Sequence, residues 1–154
     1  MPVYINVKLS GIPETRAALD SLAARIVNPD DKFMRRLGDA LLEDTDRRFE
    51  TRGYGTWPED APETVKRKGH AQVLVDSGDM RASTITKRVG NTVKIIVQQG
   101  GKNRSPDVPG YHQGGTRRMP QRKIVQKTPQ LLSLLTAEML LWISDMAKAF
   151  RKKM

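Results

Sequence analysis

The sequence predicts an α+β fold: an N-terminal strand and two helices, a small antiparallel sheet with a long loop, and a long C-terminal helix. Three observations carry this. Apolar residues alternate with polar ones near residues 3–9 and again near 92–98, the period of a strand with one buried face. Apolar stripes at three- and four-residue steps run through three other stretches, the period of amphipathic helices. Gly, Pro and Asn fall between these stretches, where the chain has to turn.

Val3, Ile5, Val7 and Leu9 alternate with Tyr4, Asn6 and Lys8, and Ser10-Gly11 ends that strand. Ile12-Pro13-Glu14 opens a helix, since proline is tolerated in the first turn. Leu19, Leu22, Ala23 and Ile26 form its stripe, and Asn28-Pro29 breaks it. Asp30-Asp31 suits the positive end of a second helix. Its expected inward stripe is Met34, Leu37, Leu41, Thr45 and Phe49. Gly53 and Gly55 mark a loop, and residues 57–62 show no clear period. Residues 82–89 and 92–98 are expected to pair as a hairpin across Gly90-Asn91. Residues 100–110, polar and rich in Gly and Pro, are expected to form a long, mobile loop, and His112 is read as a loop residue beyond it. Residues 129–150 close the chain as a helix with Leu131, Leu135, Met139, Trp142, Met146 and Phe150 on one face.

At 154 residues the chain is the size of one ordinary domain, and residues 1–154 are read as one. The formal net charge is +10. Such an excess favours an anionic partner or an electrostatic fit to another protein, and says nothing about fold. There is no cysteine, which excludes disulfides and thiolate chemistry and suits a reducing compartment. The N-terminus lacks the pattern of a signal peptide, and no apolar run approaches the roughly 20 residues that span a bilayer. A membrane role is therefore not expected.

Catalysis finds little support. His70 and His112 are far apart, with no metal-ligand neighbour at metalloenzyme spacing. Gly100-Gly101-Lys102-Asn103 fails as a phosphate loop, because Ile96 stands where the first glycine belongs and Asn103 replaces the hydroxyl residue. No Ser/His/Asp set stands out. The chain is expected to be no enzyme, with no catalytic residue, metal or cofactor.

Charge is unevenly distributed. Acids crowd the second helix and the loop after it: Asp39, Glu43, Asp44, Asp46, Glu50, Glu59 and Asp60. Between residues 102 and 127, Lys102, Arg104, Arg117, Arg118, Arg122, Lys123 and Lys127 face the single acid Asp107. A molecule with two unlike ends can join identical copies head to tail, which produces a ring if the rotation closes. The basic stretch also suits phosphate contacts. With Tyr111 as the only aromatic nearby and no base-reading motif, such contact would be non-specific.

Two stretches are too particular for filler: Leu74-Val75-Asp76-Ser77-Gly78-Asp79-Met80-Arg81-Ala82-Ser83, and Tyr111-His112-Gln113-Gly114-Gly115-Thr116-Arg117-Arg118-Met119-Pro120-Gln121-Arg122. Together with Phe49, Gly53, Trp57-Pro58 and Thr64, their order and spacing resemble the virion-morphogenesis (tail-completion, head–tail joining) family of tailed bacteriophages. The resemblance covers nearly the whole chain. Departures are Ser77 for the commoner threonine, Gln121 between Pro120 and Arg122, and Lys123-Ile124 for a proline-aromatic pair.

The resemblance implies a structural protein of the neck or upper tail, assembled in the host cytoplasm. It implies a homo-oligomeric ring, expected to be hexameric, around the DNA channel. Neighbouring neck, connector or tail-tube proteins and non-specific contact with packaged DNA would be its partners. Trp57, Tyr111, His112, Gln113 and Trp142 are the expected interface residues, with a small-core anchor the alternative for Trp57 and a core position the alternative for Trp142, and Arg117, Arg118, Arg122 and Lys123 are the candidates to face DNA. The alternative class is a stand-alone, non-specific nucleic-acid-binding module.

Overall fold

The computed structural model describes residues 12–98 and 108–152. The strand expected at residues 3–9 and most of the loop expected at 100–110 lie outside the described residues. Helix α1 (Ile12–Val27) is followed by α2 (Asp31–Glu50). Short helices α3 (Pro62–Lys68) and α4 (Asp79–Ala82) precede the hairpin of β1 (Thr84–Val89) and β2 (Thr92–Val97). Helix α5 (Val108–Gly114) and the long α6 (Pro129–Arg151) complete the chain. The fold is α+β, as the periodicities predict. The short helices were not foreseen: at four to seven residues they are too brief for an amphipathic period to register.

Local chemistry sets the ends of the long helices. The Asp30 carboxylate accepts from the Phe33 amide at 2.8 Å and caps α2. The Thr128 hydroxyl does the same for Leu131 at 3.2 Å, and Pro129 fills the first turn of α6. The two strands pair antiparallel from Thr84↔Val97 to Val89↔Thr92, so a two-residue turn at 90–91 joins them. The hairpin is the one expected, except that Ala82 belongs to α4.

A two-stranded hairpin is marginal alone, and here it lies across α2. Gly38 makes the close approach: a Cβ built there would stand 2.8 Å from the Thr86 hydroxyl and 3.6 Å from a Val93 methyl. Helix α2 thereby serves two apolar clusters. Near its start, Phe33 and Met34 pack with Trp142 and Met146 of α6, joined by Leu22, Leu37 and Val93. The Phe33 and Trp142 rings stack at 4.3 Å. Near its end, Phe49 packs with Trp57, Val73 and Ile124. Phe49 and Trp57 meet edge to face at 5.7 Å.

Beside the second cluster, in the last turns of α2, sits a buried polar node. Arg48 is 1% exposed. Its Nε donates to Asp44 at 3.0 Å, and its Nη atoms donate to the carbonyls of Lys123 and Gln126. The Tyr54 hydroxyl donates to the other Asp44 oxygen at 2.8 Å. Burial and the Asp44 carboxylate push the Tyr54 phenol above its ordinary pKa, so the hydroxyl stays a donor.

Two expected stripes need correction. On α2, Leu37 and Leu41 are only half-buried, while Asp44 and Arg48 are buried. On α6, Met139 is exposed, and the inward face is Leu131, Trp142 and Met146 with Leu134 and Leu135 half-buried. Step counting could not assign α6 a single face, because apolar residues surround most of it.

Removing Arg48 should be costly. Arg48→Met leaves the buried Asp44 carboxylate without its cation and removes a donor from two carbonyls, and breaking one side of a buried pair typically costs about 3–5 kcal/mol. Urea unfolding should show a loss of that size. A loss under 1 kcal/mol would mean that the node does not hold α2 to residues 123–126.

Two glycines allow a sharper comparison. Both have positive φ, 65° at Gly53 and 84° at Gly78. A Cβ at Gly53 would lie 2.3 Å from the Trp57 indole nitrogen, whereas one at Gly78 meets nothing within 4 Å. Gly78→Ala should cost about 1–2 kcal/mol from backbone strain alone. Gly53→Ala should cost at least about 2 kcal/mol more from the clash. Equal losses in denaturant titrations would refute the packing role of Gly53.

Candidate functional site

The residues that stood out in the sequence converge in one corner. A cleft of about 560 Å³ opens between the chain from Glu59 to Met80 and the segment from Val108 to Arg122. Its volume is in the range of ligand and segment-binding clefts. Leu74, Val75, Met80, Val108 and Met119 supply apolar lining, and Asp76, Asp79, Arg67 and Arg118 supply charge.

The walls are held by side chains reaching distant backbone. Arg122 is 5% exposed. It donates to the carbonyls of Pro58 and Glu59 at 2.9 and 2.8 Å, and meets Asp60 at 3.1 Å. Lys68 meets the other Asp60 oxygen at 2.7 Å and donates to the carbonyls of Gln72 and Val75. Asp60 therefore ties α3 and the 108–122 segment to one point. The Gln113 amide donates to the Val125 carbonyl at 2.6 Å and accepts from the Val125 amide at 3.1 Å. The Trp57 indole donates to the Lys123 carbonyl at 3.1 Å. That carbonyl also accepts from Arg48.

The 74–83 stretch forms the opposite wall. Leu74 holds a left-handed φ of 60°, uncommon for leucine, and its side chain packs against the Phe49–Trp57 cluster. Gly78 has the positive φ that the Asp-Ser-Gly sequence predicts. Ser77 donates to Asp79 at 2.7 Å, and Asp76 accepts from Arg67 at 3.3 Å. Arg81 turns away from the cleft, meeting Asp46 and Glu50 of α2. Those two carboxylates hold its guanidinium far above its ordinary pKa.

Several expectations about individual residues change. Trp57 and Trp142 are buried in the two clusters, so neither offers a partner surface in this fold. Gln113 is spent on Val125. Arg122 is withdrawn as a DNA-facing candidate, because its guanidinium is buried among carbonyls and Asp60. Arg117, Arg118 and Lys123 are exposed, and Tyr111 is 40% exposed. His112 lies on α5, not in a loop, and Val108, Pro109 and Gly110 are helical with it.

The acidic end predicted from α2 is also largely neutralised. Asp44 pairs with Arg48, Glu43 with Arg47, Asp46 and Glu50 with Arg81, and Asp60 with Lys68 and Arg122. The Glu43–Arg47 and Asp44–Arg48 pairs stand at helical spacing, but counting charges along the chain could not foresee the pairs made by Arg81 and Arg122, which come from far downstream.

Sequence reasoning missed Arg48, Asp60 and Lys68. For Arg48 a signal existed: it stands four residues after Asp44 and one before Phe49, on the stripe side of α2.

No family model, no curated protein and no solved structure matches this chain.

His112 gives the corner a pH dependence. Its Nδ1 is buried without a hydrogen-bond partner. Burial first, then the Arg122 charge, lowers its pKa, while Asp60 opposes them. The folded state thus prefers neutral imidazole, and the unfolded chain binds the proton more readily. Stability is full above the unfolded pKa of about 6.5 and declines as pH falls from there towards the lower folded value. His112→Gln should flatten that part of a stability–pH curve. An unchanged slope between pH 6.5 and 5 would show that His112 does not carry it.

Proposed function

We propose that this chain is a structural virion protein of a tailed bacteriophage. In this reading it completes the tail or joins tail to head, and forms a ring around the DNA channel. The observation that carries the reading is the convergence of the family-like residues in one braced corner. Phe49, Gly53, Trp57, the 74–83 stretch, Gln113 and Arg122 are separated in sequence but hold one another in the fold. Their polar groups are spent on backbone carbonyls and ion pairs. A connector needs a rigid, shaped surface, and this corner supplies one. A catalytic centre instead needs convergent polar groups placed to meet a substrate.

The exposed cations fit the same reading. Arg117, Arg118, Lys123 and Lys127 lie on the surface along one short segment. In a ring they would face phosphates without reading bases, since phosphate contacts position but do not specify. The same cations favour the second reading, a stand-alone nucleic-acid-binding module.

Interrupting the gene in the phage or prophage that carries it separates the two. Under the connector reading, electron micrographs should show filled heads and tails that fail to join, or tails with irregular ends. Normal infectious particles would defeat it. For the basic segment, the Arg117→Glu, Arg118→Glu double variant should stay folded. Its affinity for duplex DNA should fall, with the slope of log affinity against log salt smaller by about 2. An unchanged slope would remove these two residues from any DNA contact.

A further inference from the structure

One flank of α6 is left uncovered. Leu132, Met139, Leu140 and Ile143 are 43%, 50%, 62% and 47% exposed. Their spacing of seven, one and three places them on one face of the helix, continued by Ala147 and Phe150. That face carries no charge. The two acids of the helix, Glu138 and Asp145, are turned towards Arg36 of α2 at 3.0 and 3.8 Å. The Glu138 contact is close without hydrogen-bond alignment. Together the four side chains expose on the order of 400 Å² of apolar surface, close to the largest patch a monomeric protein ordinarily shows.

Helix α1 presents a second exposed apolar row, and the two charges on that side of the helix, Arg16 and Asp20, pair with each other at 4.0 Å. Leu22 packs on the Phe33–Trp142 cluster, but Leu19, Ile26 and Val27 are 53%, 55% and 66% exposed. Within the chain, α1 neighbours the last turns of α6, where Ala18, Leu22 and Arg25 line a small gap with Met146, Ala149 and Phe150. The uncovered flank of α6 continues that contact towards the start of the helix: Leu132, Met139, Ile143 and Phe150 follow one another at steps of seven, four and seven.

We propose that this flank of α6 receives the exposed α1 face of the next copy of the chain, so that copies join head to tail. The occupant follows from charge. Nucleic acid and lipid headgroups bind through cations, which the flank lacks. A chain of net charge +10 repels its own copies across charged surfaces. An uncharged helix flank removes that cost where the copies touch, and on the α1 side Arg16 and Asp20 offset each other's charge and stay at the exposed rim. The two faces are different, so the contact is heterologous and repeats around a ring, in contrast to a two-fold dimer. The proposal rests on the ring reading above and names the surface that would form it.

The absence of cysteine makes the test direct. Leu140→Cys and Ile26→Cys are made as separate full-length proteins, then oxidised alone and mixed. Mixing should give disulfide-linked dimers containing one of each, while each alone should give little. Cross-linking of Leu140→Cys with itself and none with Ile26→Cys would overturn the proposal in favour of a two-fold dimer. By light scattering, wild type should form assemblies larger than a dimer. Leu140→Glu and Ile26→Glu, both at exposed positions, should each weaken association by at least about tenfold with unchanged circular dichroism. A mixture of the two should recover a dimer, because one intact pair of faces remains. A wild-type protein that stays monomeric at its solubility limit also overturns the idea.

The two failures can be told apart. If the oligomer forms but virions lacking the protein are normal, the virion reading falls and the contact stands. If virions need the protein but assemble normally with Ile26→Glu and Leu140→Glu, the contact falls and the virion reading stands.

Discussion

Arg48 lies between the last turns of α2 and the segment before α6, and its guanidinium cannot leave without taking the cation from buried Asp44 and a donor from the carbonyls of Lys123 and Gln126. Burying such a pair is expensive, and a well-packed apolar replacement is often as stable. What the pair does here is fix position. It places Lys123 so that its carbonyl can also receive the Trp57 indole. Trp57 in turn lies over Gly53, whose amide donates to the Arg48 carbonyl at 2.7 Å. One buried cation thus fixes the end of α2, the loop that follows, and the start of the segment leading into α6. The cleft is the space left between parts set by that node and by the second one at Asp60.

Those constraints explain which parts of the fold were legible in the sequence. Helices α1, α2 and α6 and the hairpin declare themselves through period, caps and turn residues, all local signals. Gly38 gives no such sign: its need for Thr86 and Val93 at close range is a tertiary fact. The outward side of α6 was misread for a related reason. Helical spacing picks out a face only when the remaining faces are polar, and Leu132, Leu140, Leu141 and Ile143 leave α6 without such contrast. Met139 was assigned inward on step counting alone and lies outward.

For the candidate site, the sequence singled out stretches that the fold brings together, and gave several of their residues roles that the fold does not. Trp57, Gln113 and Arg122 are conspicuous as residue types, and conspicuous polar or aromatic residues invite a reading as contacts for something external. Each proves to be a contact for the chain itself. Long-range side-chain-to-carbonyl bonds such as Arg122 to Pro58 span about sixty residues and leave no periodic trace. The exposed pair Arg117 and Arg118 was legible because nothing internal claims them in the sequence, and they are exposed in the fold.

The charge pattern follows from the same division. Most acids of α2 and the following loop are consumed by cations of the same chain, two of them from distant segments. The cations that remain at the surface of residues 117–127 then have no ion-pair partner among the described residues, and an anionic neighbour gains there. The flank of α6 is the reverse case: its acids are turned to Arg36, and what faces outward is apolar and neutral. The fold thereby separates a basic surface from an uncharged apolar one. Under the proposed ring reading, that separation would let copies pack side by side around a polyanion. If both roles shared one surface, the charge that draws the polyanion would drive the copies apart.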